Sequence, residues 1–260
     1  NEILSKLKRK KINNVLTDCY DFNQKFKLRL KKQSKYLLVI DDHTDKKHSA
    51  DVYINNNYLD ASSKKKIKKL NPKSILFIGN NNLIINKKFV NKKPKFKKNN
   101  KIKNIFIFFG SSDNTFETLK ILEIAKKFPF LRFFIIVGNL NKKLNLISSR
   151  SMKIKNIYIH YDLLNNDILN IIKKSDLAIG AGGVNMIERI YFGLPSVVIQ
   201  TAENQEKGIN YLNKKKKIYF IGKSKNVSLL KIQKSIENLL ENKENFDKLR
   251  RNTIRASLEL

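Results

Sequence analysis

Short runs of apolar residues alternate along the chain with longer stretches in which apolar side chains recur at helical spacing. Runs of that length predict buried strands, and the longer stretches predict amphipathic helices. Strands that alternate with helices are typical of an α/β protein with parallel sheets. The predicted strands cover residues 14–16, 36–40, 52–54, 74–78, 105–109, 132–137, 157–159, 177–179, 196–199 and 218–221.

A polar segment at 86–104 divides this series. It is rich in Lys and Asn and contains Pro94, which favours an extended linker; a long surface loop within one domain is the alternative. A complete strand and helix series restarts after it, so we favour the linker. We predict the remainder of an N-terminal Rossmann-like domain at 1–95, a linker at 96–104, a second Rossmann-like domain at 105–242 and a C-terminal helix at 243–260. The predicted helices cover residues 1–11, 24–32, 114–127, 164–174, 184–192, 204–214, 228–241 and 244–256.

Composition supports a globular protein with its own core. Of the 260 residues, 41% are hydrophobic and 29% are charged. Cys19 is the only cysteine, which excludes an internal disulfide and fits a reducing cytoplasm. No apolar stretch approaches the roughly 20 residues that span a bilayer, and the N-terminus lacks the apolar core of a signal peptide. Because residue 1 is Asn, already inside a predicted helix, we expect a fragment or a trimmed chain. Separately, we expect a cytoplasmic monomer.

The formal net charge of +32 raises the question of a nucleic-acid or acidic-membrane partner. The excess is nearly all Lys and is spread along the chain, whereas a nucleic-acid binder presents a basic patch on one face. Composition and solubility therefore explain the charge better. We predict no nucleic-acid partner and no membrane insertion, with a mild preference for anionic substrates.

The first candidate turn follows the predicted strand at 105–109 and reads Gly110-Ser111-Ser112-Asp113. Gly110 permits a tight turn. The two serine hydroxyls and the amides of the following helix could hold an anion. An ordinary turn in which Asp113 or Asn114 caps the helix explains the same residues equally well.

The second candidate turn follows the predicted strand at 177–179 and contains Gly182 and Gly183. These glycines remove side chains where a phosphate would approach, and the helix that starts there offers unpaired amides and a positive dipole end. Glu188 lies in the same helix, where its carboxylate could accept hydrogen bonds from both hydroxyls of a ribose. The alternative is a glycine-rich helix start with Glu188 in a salt bridge. The spacing matches neither a Walker loop nor a GxGxxG fingerprint.

The third candidate turn follows the predicted strand at 196–199 and contains Glu203, Asn204 and Gln205. At the carboxyl edge of a parallel sheet these side chains could bind sugar hydroxyls or a diphosphate. The alternative is structural, with Asn204 capping the next helix and Glu203 near the positive end of its dipole.

Taken in order, these motifs resemble the pseudaminic-acid UDP-sugar hydrolase family. The turn at 180–183 is also similar to that of the glycosyltransferase that builds peptidoglycan lipid II. Upstream, further elements of the hydrolase family are resembled by Asp18-x-Tyr20 and by Val39-Ile40-Asp41-Asp42, Asp45, His48, Asp51 and Asn55 to Asn57. The motifs that carry the resemblance are Gly-Ser-Ser-Asp at 110–113, Ser-Asp-Leu-Ala-Ile-Gly-Ala-Gly-Gly at 175–183, Glu-Arg at 188–189, Gly-Leu-Pro-Ser at 193–196 and Ala-Glu-Asn-Gln at 202–205.

The resemblance implies a GT-B-type α/β fold with two Rossmann-like domains, the N-terminal one incomplete. It implies an enzyme of pseudaminic acid biosynthesis that removes UDP from UDP-2,4-diacetamido-2,4,6-trideoxy-β-L-altropyranose without a metal or a cofactor. The resemblance assigns Glu188 to the ribose and the turn at Gly182–Gly183 to the diphosphate. The remaining implied site residues are Ser111 and Ser112 lining the cleft, Glu203, Asn204 and Gln205 at the sugar diphosphate, and Tyr20 facing the cleft from the first domain.

The family's general-base His lies in a glycine-rich loop after the first strand, and this chain has no such loop before His43, His48 or His160. The catalytic residue is therefore unassigned, and we expect this chain alone to bind UDP-sugar poorly and to turn it over little or not at all. Asp41, Asp42, His43 and Asp45 are interpreted as a strand-end turn rather than a metal site.

Two other functions fit parts of the sequence. A GT-B glycosyltransferase would use the same UDP site and pass the sugar to an acceptor. A non-catalytic basic nucleic-acid binder would show steep loss of affinity with salt.

Overall fold

All paired strands in the computed structural model are parallel, which confirms the predicted α/β class. The structure describes residues 2–19, 21–90, 101–163 and 165–260, apart from the side chains of Lys88 and Asn165. The chain divides into two compact units, residues 1–84 and 85–260. Tyr20 and residues 96–100 of the predicted linker lie outside the described residues, and the predicted domain limits stay a prediction.

The first unit contains a four-stranded sheet in the order β1-β2-β3-β4. Asn23 caps α2 by accepting from the amide of Phe26, and Asp60 caps α3 by accepting from the amide of Ser63. The sequence pattern missed α3, because its lysines hide the apolar face. In chain order the elements are α1 (Glu2–Arg9), β1 (Asn14–Asp18), α2 (Gln24–Gln33), β2 (Tyr36–Ile40), β3 (Val52–Asn55), α3 (Ala61–Leu70) and β4 (Ile75–Ile78).

Within the residues that the structure describes, one face of this first sheet is well covered and the other is not. Leu37, Val39 and Tyr53 are buried in a core with the helices. On the other face, Leu16 is 59% exposed and Ile75 is 64% exposed. Strands joined in sequential order place their right-handed crossovers on the same side, which explains the one-sided cover.

The second unit contains a six-stranded sheet in the order β10-β9-β8-β5-β6-β7. Counted within the unit this order is 3-2-1-4-5-6, that of a dinucleotide-binding Rossmann fold. In chain order the elements are α4 (Lys87–Val90), β5 (Asn104–Phe108), α5 (Glu117–Ala125), β6 (Arg132–Val137), α6 (Leu144–Ser151), β7 (Ile157–Tyr161), α7 (Asn165–Lys174), β8 (Leu177–Ala181), α8 (Val184–Tyr191), β9 (Ser196–Gln200), α9 (Glu206–Lys214), β10 (Tyr219–Lys223), α10 (Leu229–Glu241) and α11 (Lys243–Leu258).

Helices cover both faces of the second sheet. Ile105 and Ile107 of β5 belong to the core on one face, and Phe106 belongs to the core on the other. Every residue of β8 and β9 is buried, as expected for central parallel strands. Burial of each large side chain contributes about 1.5–3 kcal/mol, so these strands hold their carboxyl ends in a rigid frame.

Candidate functional site

The three candidate turns follow neighbouring strands. Phe108 at the end of β5 pairs with Gly180 of β8, and Ala181 at the end of β8 pairs with Ile199 of β9. The winding of the sheet reverses between β5 and β8, and ligands of such folds bind outside the strand ends at this point. We call the turns at 109–113, 182–183 and 201–205 the carboxyl edge.

In the turn after β5, Phe116 and not Asp113 or Asn114 holds the N-cap position, but the Asp113 carboxylate accepts from the first helix amides. Asp113 Oδ1 accepts from the amide of Glu117 at 3.0 Å, and Oδ2 accepts from the amide of Thr118 at 2.9 Å. Burial raises the pKa of the Asp113 carboxyl. The predicted start of this helix at 114 is wrong, because the capping loop delays α5 until Glu117. Ser111 is exposed and Ser112 is half-buried, and Asp113 already occupies the first two amides of the helix that follows.

A buried carboxylate lies behind this turn. The Glu117 carboxylate accepts from the Ser224 hydroxyl and from Lys120 Nζ, the latter at 2.9 Å. Burial raises the pKa of Glu117. The contact ties the first turn of α5 to the segment after β10. No local sequence signal marks this contact, because Ser224 is remote from Glu117 in the chain.

The turn after β8 is different, because no side chain caps α8. Gly183 holds the N-cap position, and no side chain among the described residues accepts from the first-turn amides of the helix. Val184, the first residue of α8, is 52% exposed. This helix start therefore keeps the polar features that bind anions.

The packing around the turn requires glycine at one of its two glycine positions and not at the other. A Cβ at position 182 would lie 2.4 Å from Ile209 Cδ1, so Gly182 is required by the packing of α9. A Cβ at position 183 would meet only Gln205 Nε2, at 3.8 Å, so the protein's own packing does not require Gly183. The backbone at Gly183 is thus the part of the turn that an external group can approach.

Glu188 lies on the same helix, and its described partner is an amide. Oε2 accepts from Asn185 Nδ2 at 2.9 Å, so the structure shows a hydrogen bond where a salt bridge was the alternative. Burial raises the pKa of the Glu188 carboxyl, and the Asn185 hydrogen bond partly opposes this.

Arg189, next in the chain, is completely buried. Its Nη2 donates to the carbonyl of Ala181 at 2.8 Å, directly beneath the turn. Burial lowers the pKa of Arg189 to about 9. A Cβ at position 180 would lie 2.1 Å from its Nη1, so Gly180 leaves the space that the guanidinium fills. The sequence does not distinguish this buried arginine from an exposed one, because arginine is mostly exposed in proteins.

The third turn contains a short 3₁₀ helix, Glu203–Gln205, followed by α9. Gln205 Oε1 accepts from the amides of Gly182 at 3.3 Å and Thr201 at 3.0 Å, so this side chain joins the turns after β8 and β9. Ala202 and Gln205 hold the N-cap positions of the 3₁₀ helix and of α9, so Asn204 is not the N-cap residue of either. Glu203 is exposed and Asn204 is half-buried.

A glycine after β6 also shapes this edge and was not singled out in the sequence. A Cβ at Gly138 would lie 2.3 Å from the Cα of Ser111. The turn after β5 therefore rests on the backbone that follows β6. Its only sequence signal is a glycine directly after a predicted strand.

In the first unit, His48 is buried within a polar cluster. Its Nδ1 lies 3.3 Å from Lys27 Nζ, which also donates to Asp41 Oδ2 at 3.2 Å. Burial and the nearby ammonium of Lys27 lower the pKa of His48 to about 4. These contacts indicate a structural role for His48. In the second unit, burial also lowers the pKa of His160.

Within the ranges that the structure describes, no group of three or more His, Cys, Asp or Glu residues could hold a metal ion. The described helices include none that is both long and apolar enough to cross a membrane.

No family model matches the chain. Among curated proteins it is similar to the uncharacterized protein MJ1062 of Methanocaldococcus jannaschii, with 27% identity over 238 residues, 85% of this chain and 49% of that protein. It is also similar to the spore coat polysaccharide biosynthesis protein SpsG of Bacillus subtilis, with 23% identity over 210 residues, 78% of this chain and 60% of that protein. The chain thus spans about half to three fifths of the length of these relatives.

Two solved structures have the same fold. The UDP-GlcNAc 2-epimerase of Neisseria meningitidis bound to UDP-GlcNAc gives a TM-score of 0.67 at 17% identity, over 99% of this chain and 76% of that chain. MurG of Acinetobacter baumannii gives a TM-score of 0.62 at 13% identity, over 98% of this chain and 72% of that chain. The predicted GT-B-type fold class is confirmed.

Proposed function

We propose that the carboxyl edge of the second unit binds the nucleoside diphosphate of a UDP-sugar. The observation that carries the proposal is the uncapped start of α8 beside the point where the sheet reverses its winding. The curated relative SpsG is named for polysaccharide biosynthesis, and the epimerase of the same fold holds UDP-GlcNAc. The bound UDP-GlcNAc supports a UDP-sugar as the ligand, and the name of SpsG supports a role in polysaccharide synthesis.

The diphosphate is assigned to the turn after β8. The amides at the start of α8 that no described side chain caps, together with the positive dipole end of the helix, attract an anion. Gly183 lets the phosphate oxygens approach the backbone, because no side chain projects there. The guanidinium of Arg189 lies beneath the same turn, bonded to Ala181, and adds positive potential in a site screened from water.

The ribose is assigned to Glu188. A carboxylate can accept hydrogen bonds from both hydroxyls of a ribose diol. Glu188 lies about one helical turn beyond the proposed diphosphate site, in the helix that begins at Val184. Its raised pKa makes this interaction dependent on pH.

The other predicted site residues take secondary roles in the proposal. Ser111, Ser112, Glu203 and Asn204 are assigned to hydroxyl and phosphate contacts around the diphosphate. Gln205 acts through the backbone, because its side-chain oxygen already holds the amides of Gly182 and Thr201.

For the reaction, we propose hydrolysis of a UDP-activated diacetamido-trideoxy sugar in pseudaminic acid biosynthesis. Water attacks the anomeric carbon and releases a proton to the solvent, the bond from that carbon to the diphosphate oxygen breaks, and UDP leaves with the electron pair. Amides at a helix start stabilise a leaving group that gains negative charge. The ordered motifs from 110 to 205 support this assignment.

A glycosyltransferase is the second candidate. SpsG is named for polysaccharide biosynthesis, and building a polysaccharide requires the transfer of sugars to an acceptor. Such an enzyme would use the same nucleotide site and replace water with an acceptor hydroxyl. The products distinguish the two reactions: free sugar with UDP from hydrolysis, and a glycosylated acceptor with UDP from transfer.

The direct test is calorimetric titration of the 260-residue chain with UDP, UMP and GDP. We expect UDP to bind more tightly than UMP, because the second phosphate reaches the start of α8. Glu188→Gln is expected to weaken UDP binding, whereas Asn245→Ala on α11 serves as a matched control that leaves it unchanged. The poor binding expected for a UDP-sugar reflects sugar contacts from the first domain, whereas UDP itself needs only the second unit, so absence of measurable UDP binding would refute the proposed function.

A further inference from the structure

A chain of hydrogen bonds runs from the end of β8 to Glu188. Arg189 Nη2 donates to the Ala181 carbonyl at 2.8 Å, and Nη1 donates to Asn185 Oδ1 at 3.3 Å. Asn185 Nδ2 then donates to Glu188 Oε2 at 2.9 Å. Asn185 therefore links the buried guanidinium to the carboxylate assigned to the ribose.

The guanidinium determines which way the Asn185 amide points. Arginine has only donors, so the side-chain oxygen of Asn185 must face Arg189. The amide nitrogen is then directed at Glu188, and a flipped amide would oppose two donors on one side and two acceptors on the other. Glu188 thus always meets a donor on Oε2. Oε1 makes no hydrogen bond within the part of the chain that the structure describes.

Arg189 is costly to keep at this place. It is fully buried, its described hydrogen bonds go to a carbonyl and an amide oxygen, and its Nε has no partner among the described residues. An apolar side chain of similar volume at a buried charged position is often as stable or more stable. Gly180 is also needed to make room for it. The arrangement is therefore better explained by positioning than by stability.

We propose that Asn185 and Arg189 are positioning residues that aim Glu188 at the ribose diol and thereby give the site its preference for ribonucleotides over 2′-deoxyribonucleotides. This inference rests on the proposed function. A carboxylate accepts from two neighbouring hydroxyls only when its plane is held, and Asn185 holds it through Oε2 while Oε1 stays available. Losing this hold removes the advantage of the 2′-hydroxyl and leaves the diphosphate contacts in place.

The test compares the affinities of the full chain for UDP and for 2′-deoxy-UDP by calorimetry. For the unchanged chain we expect UDP to bind about tenfold more tightly, the value of one hydrogen bond to a charged group. For Asn185→Ala we expect this ratio to fall to within about twofold, with the affinity for 2′-deoxy-UDP nearly unchanged. Glu188→Gln sets the reference for a lost preference, and Asn245→Ala, an exposed asparagine of α11, should keep the full ratio.

A second variant tests Arg189, the buried end of this series of hydrogen bonds. Arg189→Lys keeps the positive charge, but a single ammonium on a flexible stem does not reproduce the fork that reaches both Ala181 and Asn185. We expect a reduced ratio in a chain that still folds cooperatively on heating. The Asn185→Ala result stands by itself if the lysine variant fails to fold.

The outcomes separate this inference from the proposed function. A full ratio in Asn185→Ala would overturn the positioning role. Equal binding of both nucleotides by the unchanged chain would overturn the inference while leaving the nucleotide site intact. Failure of the unchanged chain to bind either nucleotide would overturn the proposed function, and the inference with it.

Discussion

The turns after β5 and β8 look alike in the sequence and are used differently in the structure. Both place glycine between a central strand and a helix start, on adjacent strands. After β5, Asp113 satisfies two amides of α5 with its own carboxylate. After β8, Gly183 leaves the start of α8 without a side-chain cap. A glycine-rich turn therefore indicates an anion site only when no neighbouring acid already occupies the helix amides.

The backbone shows the same contrast. Asp113 and Phe116 have positive φ angles of 40° and 57°, a conformation that costs about 1 kcal/mol or more for a residue with a side chain. Neither Gly182 nor Gly183 has a positive φ. The turn after β5 is strained to bring a cap into place, whereas the turn after β8 is relaxed and open at Gly183.

The largest effect is expected from a side chain at position 183. Gly183→Val should weaken UDP binding about 100-fold, or about 2.7 kcal/mol, because the methyl groups occupy the space assigned to the diphosphate. Stability should change by less than about 1 kcal/mol, since the nearest side chain is 3.8 Å from the new Cβ. Calorimetry and thermal denaturation measure the two quantities. Unchanged UDP affinity in a folded variant would show that the turn after β8 is not the anion site.

Asp113→Ala should show the reverse behaviour. Loss of the cap and an alanine at positive φ should lower the free energy of unfolding by about 2 kcal/mol. UDP affinity should change less than about threefold, because Asp113 occupies these amides in the native chain and they therefore do not contribute to UDP binding. Asp113→Asn is the matched control: asparagine tolerates positive φ and keeps one acceptor, so it should lose less stability. A larger loss of affinity than in Gly183→Val would reverse the comparison.

The pH dependence of binding sharpens the role of the helix after β8. Burial raises the pKa of Glu188 above its ordinary value of 4.5. Its carboxylate form, which accepts from the ribose, therefore increases as pH rises through the interval above 4.5. Affinity for a UDP-sugar, whose diphosphate diester does not titrate there, should fall roughly tenfold when pH is lowered through that interval. Glu188→Gln should flatten the profile, and a profile unchanged by this substitution would argue against Glu188 as the ribose ligand.

The smallest effects are expected at the serines of the turn after β5. Ser111→Ala and Ser112→Ala should each weaken UDP binding by about three- to fivefold, or about 1 kcal/mol or less, with no change in thermal stability. Calorimetry of both single variants and the double variant measures this. Losses as large as that of Gly183→Val would make the two turns equal partners in binding.

Much of the fold followed from local patterns. The predicted strands at 36–40 and 132–137 coincide with β2 and β6. The helices at Ala61–Leu70 and Leu144–Ser151 were missed, because each buries few apolar side chains, Ile67 in the first and Ile147 in the second. Their positions depend on packing against a sheet, and their own periodicity is weak.

The candidate site divides in the same way. Gly182, Gly183 and Glu188 could be selected because small and acidic residues at a strand end are a local signal. Arg189 and Asn185 could not be selected in this way. The sequence does not show that Arg189 is buried against Ala181 in the space left by Gly180, or that Asn185 donates to Glu188. The residue type and its neighbours in the sequence do not show whether a guanidinium is buried or exposed.

The sequence by itself determined the alternation of strands and helices, the parallel sheets and the strand ends that carry small and polar residues. These properties are encoded in windows of a few residues, through hydrophobic period and turn chemistry. Only the tertiary structure decided that β5 and β8 are neighbours, that Asp113 uses up the amides of α5 and that α8 stays uncapped. Hydrogen-bond partners and burial depend on segments far apart in the chain, so the function of each turn is set by what the fold packs around it.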